Sequence, residues 1–500
     1  MAGLAALAVG AWLLAAYGGP HTAVAGLDAP AGAFSAMRAK AALTGLLGAE
    51  PKARPLGSAE NAAVHARLLR RLEALGAAPQ TLSGWVCEHR RATLACGHPA
   101  DIIAAVRSGT GKAIVMMAHM DSVAAGPGAS DDGSGVGALL ETIRALKTET
   151  PAADAHPVLA LFTDGEESGL LGARLFVDDP AWRRRIGMVI NLEARGTRGD
   201  SLLFQTGPGA APLIDLYADT ARHYATSSLF AEIYRHMPND TDFTPFLGAG
   251  LTGYNFAFIG GAANYHTPGD TVQRLDPRSL QQHGDNLLAL VRALETKDLA
   301  RLTGGEAIYL DVLGRWLPRL PQRLALPLAL VVLAAFGVAA GMVRPGWRAW
   351  AMPPALSAGA VTTGFALYAI AALVSGQPDP AFAHPALLRA ALGLGVGAGR
   401  WRRGTSRPAR RRRWPFGHGW RCWVSWRRSW RPAPVPIFCF PDSWQRSFCR
   451  SAGDGRKPRF CWPRLRRCRS GCRWRCGART QWAWPSIRCS PCRWGSGCSC

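Results

Sequence analysis

The sequence predicts an α/β domain, with a mixed, mostly parallel central sheet flanked by helices on both faces, followed by transmembrane helices. Three observations predict it. Short, continuous apolar runs at 113–118 (AIVMMA), 158–162 (VLALF) and 188–192 (MVINL) read as strands buried on both faces, because half-exposed strands alternate instead. An amphipathic helix lies between the first two runs and another closes the domain, and alternating strands and helices build a parallel sheet covered on both sides. Beyond residue 323 the apolar runs lengthen to the thickness of a bilayer.

Taken in order, residues 1–20 begin with the uncharged stretch MAGLAALAVGAWLLAAYG, which is marginal for a full span and lacks the basic start of a cleaved signal. It reads as a short anchor or an uncleaved signal. The soluble domain covers residues 32–300. Ser58 is placed to cap a helix whose Val64, Leu68, Leu72 and Leu75 share one face, and Gly76 closes it. Cys87 and Cys96 bracket EHRRATLA, a polar tip between apolar flanks that reads as a hairpin turn. They are either a disulfide, which fits an oxidising compartment, or two separate buried thiols. Gly135 to Leu146 is amphipathic through Leu139, Leu140, Ile143 and Leu146. Asp276-Pro277 opens the last helix as N-cap and first-turn residue, and Leu287, Leu288, Leu290 and Val291 continue it.

Residues 301–323 read as a linker. Residues 324–343, LALPLALVVLAAFGVAAGMV, lie uncharged between Arg323 and Arg344, and a second charge-free stretch runs from Ala349 to Pro378. A third apolar run starts near Ala381 and is interrupted by Arg389, so the membrane region 324–400 holds two or three helices. Arginines on both sides of the first span leave its orientation open.

The formal charge of +24 points to a polyanion partner only as an average. Residues 401–500 hold 24 Arg and one Lys against two Asp, which is +23 and leaves +1 for the first 400. The body of the protein is electrostatically ordinary, and nucleic acid is not expected as a partner. The tail also holds 12 of the 18 Trp and 11 of the 13 Cys, without helical or strand period. Arg with interleaved Trp suits single-stranded nucleic acid, and Cys468, Cys472, Cys476, Cys489 and Cys492 have spacings that suit zinc. Neither comes with an apolar pattern that folds, so residues 401–500 are read as disordered or translated out of frame.

The residues that carry chemistry stand where the strands run out, the edge at which α/β enzymes place ligands. His119-Met120-Asp121 ends the first run, and Asp121 falls on the same side as His119, able to accept the second imidazole N–H. Twelve residues after His119 comes Ser130-Asp131-Asp132-Gly133-Ser134-Gly135, leading into a helix. Capping explains an acidic residue at a helix start but not two in succession in a glycine-rich bend. Asp164-Gly165-Glu166-Glu167 follows the second run, and adjacent glutamates repel unless a cation or proton compensates. Glu193 ends the third run, and His266 sits in the turn-rich Tyr265-His266-Thr267-Pro268-Gly269-Asp270. Each residue alone has an ordinary packing or capping explanation; together, at successive strand ends, they point to metal.

These blocks resemble the co-catalytic di-zinc aminopeptidase family, which includes secreted bacterial aminopeptidases and glutamate carboxypeptidases. The matching elements are HMDS, SDDGSG, DGEESGLLG, NLEARG and YHTPGD, with Arg54-Pro55-Leu56-Gly57-Ser58 and Asn61 similar to the family's lead into its first helix. The likeness covers about residues 35 to 298. NLEARGTRG, the segment Asn239 to Phe246 (NDTDFTPF) and the trailing spans are most similar to the endoplasmic-reticulum metallopeptidase branch and its bacterial membrane-anchored relatives.

The resemblance implies a zinc aminopeptidase-like fold and two Zn2+ per chain. His119 and Glu193 would bind one, Glu167 and His266 the other, and Asp131 would bridge them. It makes Glu166 general base and then general acid, places Tyr265 near the carbonyl oxygen, and implies a cis peptide between Asp131 and Asp132. Many secreted members have Asp where Glu193 stands. The implied activity is hydrolysis of N-terminal peptide bonds of peptides, by a domain held at the membrane on its periplasmic or lumenal side. A metal-free receptor or scaffold of the same fold, and a carboxypeptidase-type member, stay open as alternatives. Glutaminyl cyclases share the scaffold but use one zinc, and the full ligand set argues against them. Side-chain preference and oligomeric state are not legible in the sequence.

Overall fold

Serine begins both of the first two helices in the computed structural model, which describes residues 22–48, 50–90, 93–343 and the isolated positions 346, 362, 366, 369, 370 and 373. The expectations for residues 1–20, for the second and third apolar stretches and for the tail lie outside the described segments. Ser35 caps α1 (Ala36–Leu47), its Oγ accepting from the Arg38 amide at 3.1 Å. Ser58 caps α2 (Ala59–Ala74) in the same way through the Asn61 amide. Val64, Leu68 and Leu72 of α2 are buried, and Gly76, at φ 68, turns the chain away after Leu75.

Strand β1 (Ala78–Ser83) is followed by the hairpin β2 (Val86–Arg90) and β3 (Thr93–Gly97), in which Cys87 stands opposite Cys96. The two are disulfide-bonded across the ladder, with Cα atoms 4.1 Å apart, so the bridged reading is the one the fold adopts. Next come β4 (Ala100–Arg107), β5 (Ala113–His119), α3 (Gly133–Leu146), β6 (Val158–Thr163), α4 (Leu171–Asp178), α5 (Pro180–Arg183) and β7 (Ile186–Ala194). The domain continues through β8 (Leu202–Thr206), α6 (Ala211–Thr220), α7 (Ser228–His236), α8 (Phe243–Gly248), β9 (Gly253–Phe258) and α9 (Pro277–Leu294).

The seven-stranded sheet has the order β1-β4-β6-β5-β7-β9-β8. Its centre, β6-β5-β7-β9, is parallel throughout, and β4 and β8 run opposite to the other five strands. The sheet is therefore mixed and mostly parallel. The continuous apolar runs are explained by what covers them. Ile114, Met116 and Ala118 of β5 join the core under α1, α2, α3 and α9, while Ala113, Val115 and Met117 join the core under α4 and α8. Alternate residues point to opposite faces, and both faces are dry.

Beyond α9, the stretch expected as a linker contains a hairpin, β10 (Ala307–Tyr309) with β11 (Arg319–Pro321), whose Tyr309 and Leu317 join the main core. Three residues later begins α10 (Ala325–Val343). Residues Gln322–Met342 are long and apolar enough to cross a bilayer, with mean hydropathy 2.4 and no part buried in the protein.

Helix α9 lies close enough to the N-terminal segment that a Cβ on Gly284 would collide with the Phe34 ring. Gly284→Ala is expected to lower stability by about 1–3 kcal/mol through overpacking. Thermal unfolding of Gly284→Ala with and without Phe34→Ala checks it. The second substitution should relieve the first, and simple additivity would contradict the contact.

Candidate metal centre

Parallel register brings the acidic strand ends together. Met117 on β5 pairs with Leu161 on β6 and with Asn191 on β7, so His119 and Glu193, two residues on, project from the same face. Asp131 arrives from the bend before α3, where Asp132 is the helix cap, its Oδ1 accepting from the Gly135 amide at 2.9 Å. A cis peptide joins Asp131 to Asp132. Asp132 thus serves the helix while Asp131 faces the histidines.

The two oxygens of Asp131 are shared. Oδ1 lies 3.2 Å from His119 Nε2, and Oδ2 lies 3.0 Å from His266 Nε2. Glu193 Oε2 stands 3.8 Å from His119 Nε2, and Glu167 Oε1 stands 3.0 Å from His266 Nε2. Donor atoms of His119, Asp131 and Glu167 all lie within 4.8 Å of one another. His266 Nε2 and Glu167 Oε1 are buried and, although close, form no hydrogen bond with proper geometry. Donors at ~2 Å from one zinc are roughly 3–4 Å apart. His266 and Glu167 converging without hydrogen-bond geometry fit a cation, and Asp131 between two histidines fits a pair.

The supporting contacts fix each donor. Asp121 Oδ1 is 3.3 Å from His119 Nδ1, and the same carboxylate accepts the amides of Glu166 and Glu167 at 3.1 and 3.2 Å. It therefore positions a histidine and the glutamate pair together. Asn191 donates to Glu193 Oε1 at 3.2 Å, within a buried amide chain that reaches Asn255, Gln205 and Thr241. His266 holds a left-handed backbone, φ 56, and its ring stacks on Tyr265 at 3.7 Å. The Arg195 guanidinium lies 5.7 Å from the centre of the Tyr265 ring.

Several organising residues were quoted in the sequence motifs without a role. Asp270 accepts the amides of Ser130 and Asp131, at 2.8 and 3.0 Å, and so clamps the His266 loop to the Asp131 bend. Arg54 is fully buried behind the centre and donates to the carbonyls of Met120, Pro127 and Gly128. Burial depresses its guanidinium, opposed by Asp121, Asp270 and Asp131. Asp164 accepts from Asn61 and from the Ala100 amide, while Asp101 accepts the Asp164 amide, so the start of β4 pins the loop carrying the glutamates. The only hints were a charged residue before a helix cap and an acid in each turn.

Electrostatics show what the cluster lacks. Burial pushes the Glu193 carboxyl up to about 8, with Asp131 and Asp242 adding to the shift against His119. Glu166 is half-buried as a residue, but its carboxyl is enclosed; burial raises it well above the usual range, and Glu193, Asp242 and Glu167 add to this. Burial works against charge on His266, yet Asp131 and Glu167 carry it up to about 9. Burial would also raise Asp131, but His119 and His266 hold it far below normal. Protons thus occupy positions where a cation would compensate the acids.

Residues 101–291 match the model of peptidase family M28. Over 225 residues the chain is 36% identical to endoplasmic reticulum metallopeptidase 1 of Homo sapiens, covering 44% of this chain and 25% of that protein. Over 208 residues it is 32% identical to a vacuolar membrane protease of Candida albicans, covering 41% of this chain and 24% of that one. The chain thus matches about a quarter of the length of these curated relatives. Among solved structures, a Zn-dependent exopeptidase from Parabacteroides distasonis is 20% identical with a TM-score of 0.43, covering 54% of this chain and 100% of its own.

Protonated histidines at neutral pH must release protons when a cation binds. Zinc affinity is therefore expected to rise with pH up to about 9, where His266 loses its proton. Calorimetric titration in buffers of different ionisation enthalpy reads the protons directly. Binding at pH 7 with none released would contradict this account of the site.

Proposed function

Because this chain belongs to peptidase family M28, we propose that it is a membrane-tethered zinc exopeptidase, an aminopeptidase that hydrolyses N-terminal peptide bonds of peptides. The observation that carries the reading is Asp131 shared between His119 and His266. In this reading His119 and Glu193 would hold one zinc and Glu167 and His266 the other, with Asp131 contributing to both. When bound, the zinc pair supplies an acidified water and polarises the scissile carbonyl.

The remaining steps belong to side chains. Glu166 takes the proton of the attacking water and delivers it to the leaving amine. Its carboxyl is enclosed beside His119, and added positive charge nearby would bring it back towards ionisation at neutral pH. Tyr265 keeps its phenolic proton, because burial and then Asp131 push it up, and so remains a donor for the developing oxyanion. Asp121 acts by position, through the His119 ring and the glutamate amides.

Location follows the same reading. The apolar helix after the domain and the Cys87–Cys96 bridge support a domain held at a membrane on its periplasmic or lumenal side. The names of the endoplasmic reticulum and vacuolar membrane relatives agree with that placement.

Purified full-length protein is expected to release N-terminal residues from short unblocked peptides, with loss on chelation and recovery with zinc. Glu166→Gln should lower kcat by roughly 10²–10⁴-fold with zinc content unchanged. A variant within a few-fold of the parent would remove Glu166 from the mechanism. Release from the C-terminus would replace the aminopeptidase assignment with a carboxypeptidase one.

A further inference from the structure

Helix α7 carries its apolar residues outward. Leu229, Phe230 and Ile233 fall in one arc of the helix and are 63, 41 and 50% exposed, and none of the nine residues is buried. The orientation is fixed by local contacts. Ser227 caps the helix through the Phe230 amide at 3.2 Å, and Tyr234 meets the Phe204 ring edge-on at 4.6 Å. Glu232 pairs with Arg235 and His236 along the adjoining arc.

The hairpin β10–β11 lies beside this helix, since Ser227 bridges to Leu310 and Ser228 Oγ donates to the Tyr309 carbonyl at 3.2 Å. While Tyr309 and Leu317 anchor the hairpin in the core, Leu310, Leu313 and Trp316 at its far end are exposed, Trp316 by 65%. Leu313 sits at φ 56, in the left-handed region where a branched aliphatic side chain is rare. A large apolar residue at a strained turn tip, facing solvent, calls for an occupant.

The bilayer reached by the next helix is one. Gln322–Leu324 alone separate β11 from α10, so the open end of the hairpin is tied within about 10 Å of chain to a helix of bilayer length, and its three-residue strands set the tip about 10 Å further on. Arg315 and Arg323 are exposed on this stretch, and their long stems can lie along apolar surface while the guanidinium reaches a lipid phosphate. We propose that the outward face of α7 and the tip of the β10–β11 hairpin form a second, peripheral membrane contact, seated in the interfacial layer of the bilayer that α10 crosses. The inference rests on the membrane-tether reading. It has a consequence for the metal centre, because the loop after α7 accepts, through the Asp240 carbonyl, a 3.5 Å hydrogen bond from Arg195, two residues beyond Glu193. Lipid contact would hold that wall of the site.

The test uses full-length protein in phosphatidylcholine–phosphatidylglycerol vesicles, with benzoylphenylalanine placed singly at Phe230, Leu313 or Trp316. Val332 in α10 serves as the span control, and Leu94, exposed on the β2–β3 hairpin, as the surface control. After irradiation, mass spectrometry counts lipid adducts. The expected result is adducts at Val332 and, at least tenfold above Leu94, at Phe230, Leu313 and Trp316. Adducts at Val332 alone overturn the peripheral contact and leave the tether standing. None at Val332 overturns the tether and the contact with it. Cross-links between protein copies at Phe230 or Trp316, without lipid, overturn it in favour of self-association.

Discussion

A buried carboxylate with two histidines on its two oxygens is the constraint around which this domain is arranged. Asp131 lies where water cannot solvate its charge, and Asp121, Asp132, Asp164, Asp242 and Glu193 are buried nearby. Such a concentration of acids is strongly unfavourable in a dry interior unless positive charge is supplied. Arg54 supplies some from behind. The imidazoles supply more by keeping their protons, and a pair of cations would supply it more fully.

The fold meets this demand through backbone as well as side chains. The parallel strands β5 and β7 aim His119 and Glu193 from one face, and the bend before α3 divides its two aspartates between helix cap and metal site. Asp270 and Asp121 each accept two amides, so the loops carrying the donors are joined to one another and not merely to the sheet. Loops bound in this way hold donor positions with little rearrangement, which is what a preformed metal site requires.

The central architecture was legible because its strands are buried on both faces. A run such as AIVMMA, too short for a helix and apolar at every position, fits the middle of a covered sheet. Ser58 and Asp276 were legible as caps, since a small polar residue before an apolar period has a specific local use. Strands β1 and β8 left no comparable mark, being short and partly exposed at the sheet edges. In the site, His119 and Glu193 were marked by their places at strand ends, while the full set with Asp131, Glu167 and His266 came with the family resemblance, and the structure brings the five together. Arg54, Asp270 and Asn191 carried no such sign, because their work is hydrogen bonding to backbone and amide partners that only the tertiary fold supplies. The hairpin at 307–321 was hidden for a similar reason: three-residue strands are too short to show a period.

The sharing of Asp131 can be observed directly. Crystals of the zinc-loaded protein, measured on both sides of the zinc absorption edge, are expected to show two anomalous peaks. Each should lie about 2.0–2.2 Å from a different oxygen of Asp131. A single peak, or two that do not have that aspartate in common, would contradict the account.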